Sequence, residues 1–338
     1  MPISLSHLPK KSSVFGALHL LLASFGCIHL AHAQSSEKYP QRAVRLIVPY
    51  GPGGATDIVA RQLALRLSEN WGSQVIVDNR AGGSGTIALE SVAHASTDGY
   101  TLMVGNVSTN AITESAFAKT LSIKPSRDLA SITNLIEIPH MLLINASIPV
   151  NTIKQLVEYA KTATGLAYAS AGIGSYPHLD GARLAKVMGV DMTHIPYKGG
   201  AGQIIPAMIS NEVQLTMINL ASAMPHIKNG RLKPMATTWP TRRTEFPDIP
   251  TMTEAGFNGI GTNAWNGLFG PAKMSPALIN QIYSSAIKAM ESSSMKESLA
   301  KQLIYVVTST SPAQYVQFVN DEVTKWSAVI RENNIVME

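Results

Sequence analysis

The sequence predicts an α/β protein of two lobes, each built on a mostly parallel sheet with helices on both faces, and a ligand cleft between them. Three observations predict it. From residue 42 onward, short apolar runs alternate with amphipathic runs of helical spacing. Glycine-rich loops follow the strands, at the carboxyl ends where open α/β sheets hold ligands. At 338 residues the chain has length for a sizeable core in each of two lobes.

The elements follow in order. Val44–Val48 is a short apolar strand, and Tyr50-Gly51-Pro52-Gly53-Gly54-Ala55-Thr56-Asp57 is the loop after it. Ile58–Glu69 is a helix, because Val59, Leu63 and Leu67 fall on one face. Gln74–Val77 is a strand, and a second glycine-rich loop, 78–85, leads to a helix over Thr86–Ala95. After a Thr97-Asp98-Gly99 turn, Tyr100–Gly105 is a strand ending in Asn106-Val107-Ser108-Thr109-Asn110. Met141–Ile144 is the next strand and opens the second lobe. Thr152–Lys161 is a capped helix, and Leu166–Ala169 a strand that runs into Ser170-Ala171-Gly172-Ile173-Gly174-Ser175. Pro177 suits a first helical turn, and the helix His178–Met188 stops at Gly189. Thr193–Pro196, Val213–Ile218 and Leu232–Thr237 are strands, with helices Gln203–Ser210 and Ala223–Lys228 between them. Residues 240–263 carry turn signals and form the path back. Trp265–Phe269 is a first-lobe strand, followed by helices Pro276–Ser292, Ser294–Gln302 and Pro312–Glu332. The expected division is 34–138 with 262–338 for the first lobe and 139–261 for the second.

Residues 1–33 read as a secretory signal peptide. Lys10 and Lys11 precede an apolar run, and Ala31-His32-Ala33 is a small-x-small cleavage site. A membrane anchor is the competing reading, but the run is short for a span and a cleavage site follows. A lipoprotein site at Cys27 would follow Ser24-Phe25-Gly26, of which only Gly26 suits it. Cleavage near Ala33 places the mature protein in the periplasm. It also removes Cys27, the only cysteine, and with it disulfides, thiol catalysis and Cys-ligated metal. The whole chain carries +5; without Lys10 and Lys11 this is 5 − 2 = +3. A mildly basic surface steers small anions. No Lys/Arg cluster with interleaved aromatics points to nucleic acid.

Enzyme signatures are lacking. There is no phosphate-binding G-x-x-x-x-G-K-[ST], no H-E-x-x-H and no G-x-S-x-G. Gly83-Ser84-Gly85 with Ala88 fits only the looser G-x-G-x-x-A. His94, His140, His178, His194 and His226 lack metal-ligand spacing. No cofactor and no metal are expected. What remains is the loops, whose donors are hydroxyls, amides and backbone N–H groups. Such donors at helix N-termini hold a carboxylate without a buried counter-charge. Thr56 can cap its helix or face a ligand, and Asp57 caps or holds the loop. His178 is divided evenly between ligand contact and structural role, and Lys198 between a carboxylate partner and a solvated cation. The residues favour binding over turnover.

These stretches resemble the periplasmic solute receptors of tripartite tricarboxylate transporters, the Bug receptors. The likeness runs from Tyr39-Pro40 to the C-terminal helix. It is carried by Val48 through Asp57, Ala60-Arg61, Val77-Asp78-Asn79-Arg80, Asp98-Gly99-Tyr100-Thr101-Leu102, Tyr168-Ala169-Ser170 with Gly174-Ser175 and His178-Leu179, His194 through Gly199, Pro247 through Thr251, Glu254-Ala255-Gly256 and Trp265-Asn266-Gly267-Leu268. It departs at Ala81, where proline is usual, at Gly82 through Thr86, and at Asn211 through Asn219. The resemblance implies a two-lobed type II periplasmic binding protein fold with a hinge and an interlobe ligand cleft. By position it implies Tyr50, Gly54, Ala55 and Thr56 on the first-lobe side, with Ser84, Gly85, Asn106 and Ser108 nearby. On the second-lobe side it implies Ser170, Gly174, Ser175 and His178, with Tyr197 and Asn219 at neighbouring strand ends. On this reading Ser170–Ser175 is the opposing jaw and Tyr197–Gly202 a wall beside it. The function implied is a monomeric, non-enzymic receptor that gives a small organic carboxylate to the permease subunits of a tripartite tricarboxylate-type transporter. A sensor reporting to a membrane histidine kinase is the alternative, and a secreted hydrolase a more remote one.

Overall fold

The computed structural model describes residues 39–242 and 245–332, together with Met1. The expected signal peptide lies outside the described residues. The chain divides into Met1–Tyr39 and Pro40–Glu338, and the architecture is that of the second unit.

Its elements begin with β1 (Val44–Val48), α1 (Ala55–Trp71), β2 (Val75–Asn79), α2 (Thr86–Ala93) and β3 (Thr101–Asn106). A π-helical turn, Ser108–Ile112, precedes α3 (Thr113–Ala116) and α4 (Pro125–Asp128). Then come β4 (Leu129–Ile138), β5 (His140–Asn145), α5 (Ile153–Thr162), β6 (Ala167–Ser170), α6 (Tyr176–Met188) and β7 (Thr193–Pro196). They continue with α7 (Ala201–Ile209), β8 (Leu215–Asn219), α8 (Leu220–Lys228) and β9 (Leu232–Thr237). The last are β10 (Ala264–Pro271), α9 (Pro276–Met290), α10 (Ser293–Ala300), β11 (Tyr305–Val306) and α11 (Pro312–Glu332).

The strands form two sheets. One has six strands in the order β11-β4-β10-β3-β1-β2, the other five in the order β7-β6-β8-β5-β9. The chain leaves the first sheet after Ile138, spends one residue, Pro139, in the crossing, and enters the second at His140. It returns between Thr237 and Ala264.

The sheets are mixed rather than mostly parallel. β1 runs parallel to β2 and β3, and β6 to β7 and β8. β10 is antiparallel to β3 and β4, β11 to β4, and β5 to β8 and β9. Every antiparallel pair contains β4, β5 or β10, the strands that flank the crossings. A chain that leaves a sheet and returns to it supplies strands of opposite direction, whereas each βαβ step supplies parallel ones.

Burial follows pleat and helix period. On β5, Met141 and Leu143 face the core with Ile204, Met208 and Ala223 of α7 and α8. Leu142 and Ile144 point the other way, into the core with Leu156 of α5 and Leu184 of α6. The first sheet packs Ile47, Met103 and Phe269 with Trp265, Tyr315 and Trp326. Glu322 is drawn into this core by the indole N–H groups of Trp265 (3.0 Å) and Trp326 (3.2 Å).

Candidate functional site

β1 delivers the Tyr50–Asp57 loop to the seam between the lobes. Asp57 is the clip that shapes it. Its carboxylate accepts from the Gly53 N–H (3.0 Å), Arg61 Nε (2.9 Å) and Asn79 Nδ2 (2.9 Å). Burial pushes the Asp57 carboxyl up, but Arg61, Gly53 and Asn79 together hold it below its ordinary pKa. Asn79 also donates to the Tyr50 carbonyl at 2.9 Å. The loop is thus fixed from behind. Gly54, the N-cap residue of α1, offers no side-chain cap, and the Ala55 and Thr56 N–H groups find no acceptor among the described residues.

A cavity of about 50 Å³ lies in front of those N–H groups. From the first lobe it is lined by Tyr50, Gly51, Gly54, Ala55, Thr56 and Asn106. From the second lobe come Ala171, Tyr176, Gly199, Gly200, Ala201 and Asn219. A second helix start therefore faces the first. α7 also begins without a side-chain cap, at Gly200, and the N–H groups of Ala201 and Gly202 find no acceptor among the described residues. The two loops come close: a Cβ on Gly51 would stand 3.6 Å from the Gly199 carbonyl oxygen, and one on Gly202 3.6 Å from that of Pro52. Two positive helix ends aimed at one small space make a site for an anionic head group.

The side chains around this space are neutral and ordered. Asn266 Nδ2 donates to Thr56 Oγ1 at 2.7 Å, and Asn106 Nδ2 approaches it at 3.4 Å. With its lone pairs so engaged, the Thr56 hydroxyl retains its proton as a donor. Tyr50 Oη donates to Asn106 Oδ1 at 3.3 Å. Burial raises the Tyr50 phenol above its ordinary pKa against the hydrogen bonds of Asn106 and Ser108, so it stays neutral. Tyr176 opens α6, and its N–H donates across the seam to Ser108 Oγ at 3.1 Å. Its ring stacks on His140 with centroids 4.1 Å apart. His140 bonds the Thr262 carbonyl through Nδ1, so it touches both crossings between the sheets. Burial lowers the His140 pKa to about 3, against that hydrogen bond, and keeps the ring neutral.

The fourteen residues expected at the site separate into groups. Tyr50, Gly54, Ala55, Thr56, Asn106 and Asn219 line the cavity. Ser108 joins them through Tyr176. Ser84 instead lines a second, larger space, and Gly85 packs beside Pro49 and Thr109. Gly174 packs against Ala116 and Phe117 of the first lobe.

The expected second jaw is turned inward. Ser175 Oγ donates to the Gly172 carbonyl at 2.6 Å, and Ser170 Oγ bonds the same carbonyl at 3.0 Å and accepts from the Gly172 N–H at 3.1 Å. His178 Nδ1 accepts from the Gly174 N–H at 3.2 Å, and its ring stacks on His194 at 4.1 Å. Hydroxyls two or three residues from a free backbone group close their own turn before they reach a ligand. Tyr197 leans outward to Glu212 at 2.7 Å, and burial together with that carboxylate pushes its phenol up to about 12. The jaw opposite Tyr50–Thr56 is therefore Gly199–Ala201, not Ser170–Ser175.

Ser170 Oγ lies 2.6 Å from His194 Nε2, a pairing that resembles an activated serine. Ser170 is fully buried, its oxygen is spent on Gly172, and it does not line the cavity. The arrangement holds the loop and presents no nucleophile to the seam. The residues that sequence reasoning missed are Tyr176, Asn266, Ala171 and the Gly199–Ala201 backbone. The signal for the last was in the chain: a glycine pair entering a helix with no Ser, Thr, Asp or Asn to cap it.

Beside the cavity lies a compartment of about 390 Å³, again lined from both lobes. Ser84, Thr86, Glu90, Phe117 and Leu121 come from the first lobe, Gly172, Ile173 and Lys198 from the second. Residues 171 and 172, and 199 and 198, divide consecutively between the two spaces.

Comparison with solved structures agrees with this geometry. The periplasmic binding protein BugD is 28% identical, with a TM-score of 0.82 over 88% of this chain and 99% of that one. MatC from Rhodopseudomonas palustris, solved with bound malate, is 29% identical, with a TM-score of 0.81 over 86% and 100%. A second R. palustris protein, solved with adipate, is 29% identical, with a TM-score of 0.83 over 88% and 99%. The class is that of the two-lobed periplasmic binding proteins. Within it, residues 59–335 match the tripartite tricarboxylate transporter family receptors, TctC, and the chain belongs to that family.

Proposed function

We propose that the protein is a periplasmic receptor that binds a small organic carboxylate without transforming it and delivers it to the permease of a tripartite tricarboxylate-type transporter. The observation that carries the reading is the cavity between two uncapped helix starts, one from each lobe, with free N–H groups and neutral polar side chains around it. Charge-assisted hydrogen bonds from such donors contribute about 1.5–3 kcal/mol each. Because the donors come from both lobes, the ligand favours the closed arrangement over an open one, with the crossings at 138–140 and 261–263 as the hinge. Relatives solved with malate and adipate support a carboxylate as the ligand class. The molecule works as a monomer after removal of residues 1–33.

The test is calorimetry and thermal shift on the protein purified from the periplasm, against succinate, malate, adipate and benzoate. One or more should saturate a single site and stabilise the fold by about 3 kcal/mol at a hundredfold excess over Kd. A Cβ on Gly54 meets no protein atom within 4 Å, so Gly54→Leu should fold normally, fill the cavity and abolish the response. Absence of carboxylate binding, or full binding by Gly54→Leu, would overturn the reading.

A further inference from the structure

The inner cavity and the outer compartment divide the seam unequally. About 50 Å³ lies far below the roughly 300–1,000 Å³ of pockets that enclose a whole small molecule. It has room for a carboxylate head and little more. The compartment of about 390 Å³ falls within that range, and it adjoins the cavity across residues 171–172 and 198–199. Phe117, Leu121 and Ile173 give it an apolar lining suited to a carbon body.

The compartment also holds two charges. Lys198, on its second-lobe wall, has no ion-pair or hydrogen-bond partner among the described residues. Glu90 has its carboxylate engaged by Ser122 Oγ at 2.8 Å. The free charge in the compartment is thus the cation. Ser84, which also lines it, sits at φ 54°, a strained backbone for serine, and would meet any Cβ on Gly172 at 2.6 Å. That contact marks the place where the lobes press together at the boundary of the two spaces.

We propose that the solute is an elongated dianion, with one carboxylate in the inner cavity, a carbon body in the outer compartment, and a second anionic group beside Lys198. The inference rests on the carboxylate reading above and adds length and charge to it. It makes Lys198 the residue that selects diacids over monoacids of equal length.

Two ligand pairs that differ only at the far end test this: hexanoate against adipate, and benzoate against terephthalate, with 6-aminohexanoate as a fifth ligand. Calorimetry on the wild-type protein should give the dianion at least a tenfold advantage in one pair. Lys198→Gln should reduce that advantage to within about threefold, while Lys228→Gln, at an exposed position on α8, should leave it intact. Equal binding of monoanion and dianion, or a preference that survives Lys198→Gln, overturns the inference and leaves the carboxylate reading standing. So does tightest binding of 6-aminohexanoate, which would make Glu90 the distal contact. Failure of all five ligands overturns the carboxylate reading itself.

Discussion

The second lobe contains two glycine-rich loops that look alike in sequence and behave oppositely. Ser170–Ser175 is rich in hydroxyls and spends them on itself, on the backbone of Gly172. Gly199–Gly202 has no hydroxyl, and its helix start remains open to the cavity. The difference teaches that an uncapped helix start is a better sign of an anion site than a capable-looking polar loop. A side chain able to satisfy a free N–H usually does so, and only its absence leaves the N–H for a ligand.

The sharpest way to break the comparison is Gly200→Val. Gly200 adopts φ 64°, ψ −143°, a conformation nearly restricted to glycine, so a branched residue re-aims the open loop. Carboxylate affinity should fall at least a hundredfold, with a stability loss of roughly 1–3 kcal/mol by denaturant titration. Retained affinity would mean that Gly199–Ala201 is not the jaw. Next is Thr56→Val, which removes the hydroxyl and strands the Asn266 amide. Here affinity should drop about tenfold or more, and stability by roughly 1–3 kcal/mol.

Acid should act on the closed loop. Burial lowers His178 to about 4, and burial with neighbouring His178 lowers His194 to about 4. Burial also holds His140 at about 3, against its bond to Thr262. The unfolded chain binds these protons from about pH 6.5 downward and the folded one does not, so stability is lost as pH falls from about 6.5 towards 4. Asp180 opposes this. Burial raises its carboxyl to about 6 against the Thr262, Arg183 and Gly261 contacts, so its own contribution falls as pH rises from about 4 to 6. Three imidazoles outweigh one carboxyl, and Tm should decline by several degrees from pH 7 to 5; a flat profile would contradict this. The smallest effect expected is that of Ser175→Ala. It should cost about 1 kcal/mol of stability for its lost bond to Gly172 and change affinity less than twofold by calorimetry. A large loss of affinity there would restore Ser170–Ser175 as a jaw.

Much of the fold was readable because its βαβ steps announce themselves locally. Thr193–Pro196, Leu232–Thr237 and Pro312–Glu332 carry the expected bounds, and the other helices start or stop within a few residues of them. The longest strand, β4, was not expected at all. It lies between β10 and β11 and is buried on both faces for most of its length, so Leu129–Ile138 shows no clean alternation. β11, two residues long, has too little sequence to carry a period. Strand direction was also hidden, because it depends on the crossings rather than on any one segment. At the site, the Tyr50–Asp57 jaw was legible from its own residues. Tyr176 and Asn266 were not, since only the closed seam brings them to Ser108 and Thr56.

The inner cavity is walled largely by main chain and small residues, which has a consequence for how such proteins diversify. Every residue type carries the same N–H group, so substitution cannot easily erase the head-group grip at Ala55 or Ala201. The outer compartment is built from side chains such as Phe117, Ile173 and Lys198, each replaceable on its own. A lineage can therefore keep a fixed handle for acids while exchanging the part that measures their length and far end, and duplicated genes can acquire new diets one substitution at a time.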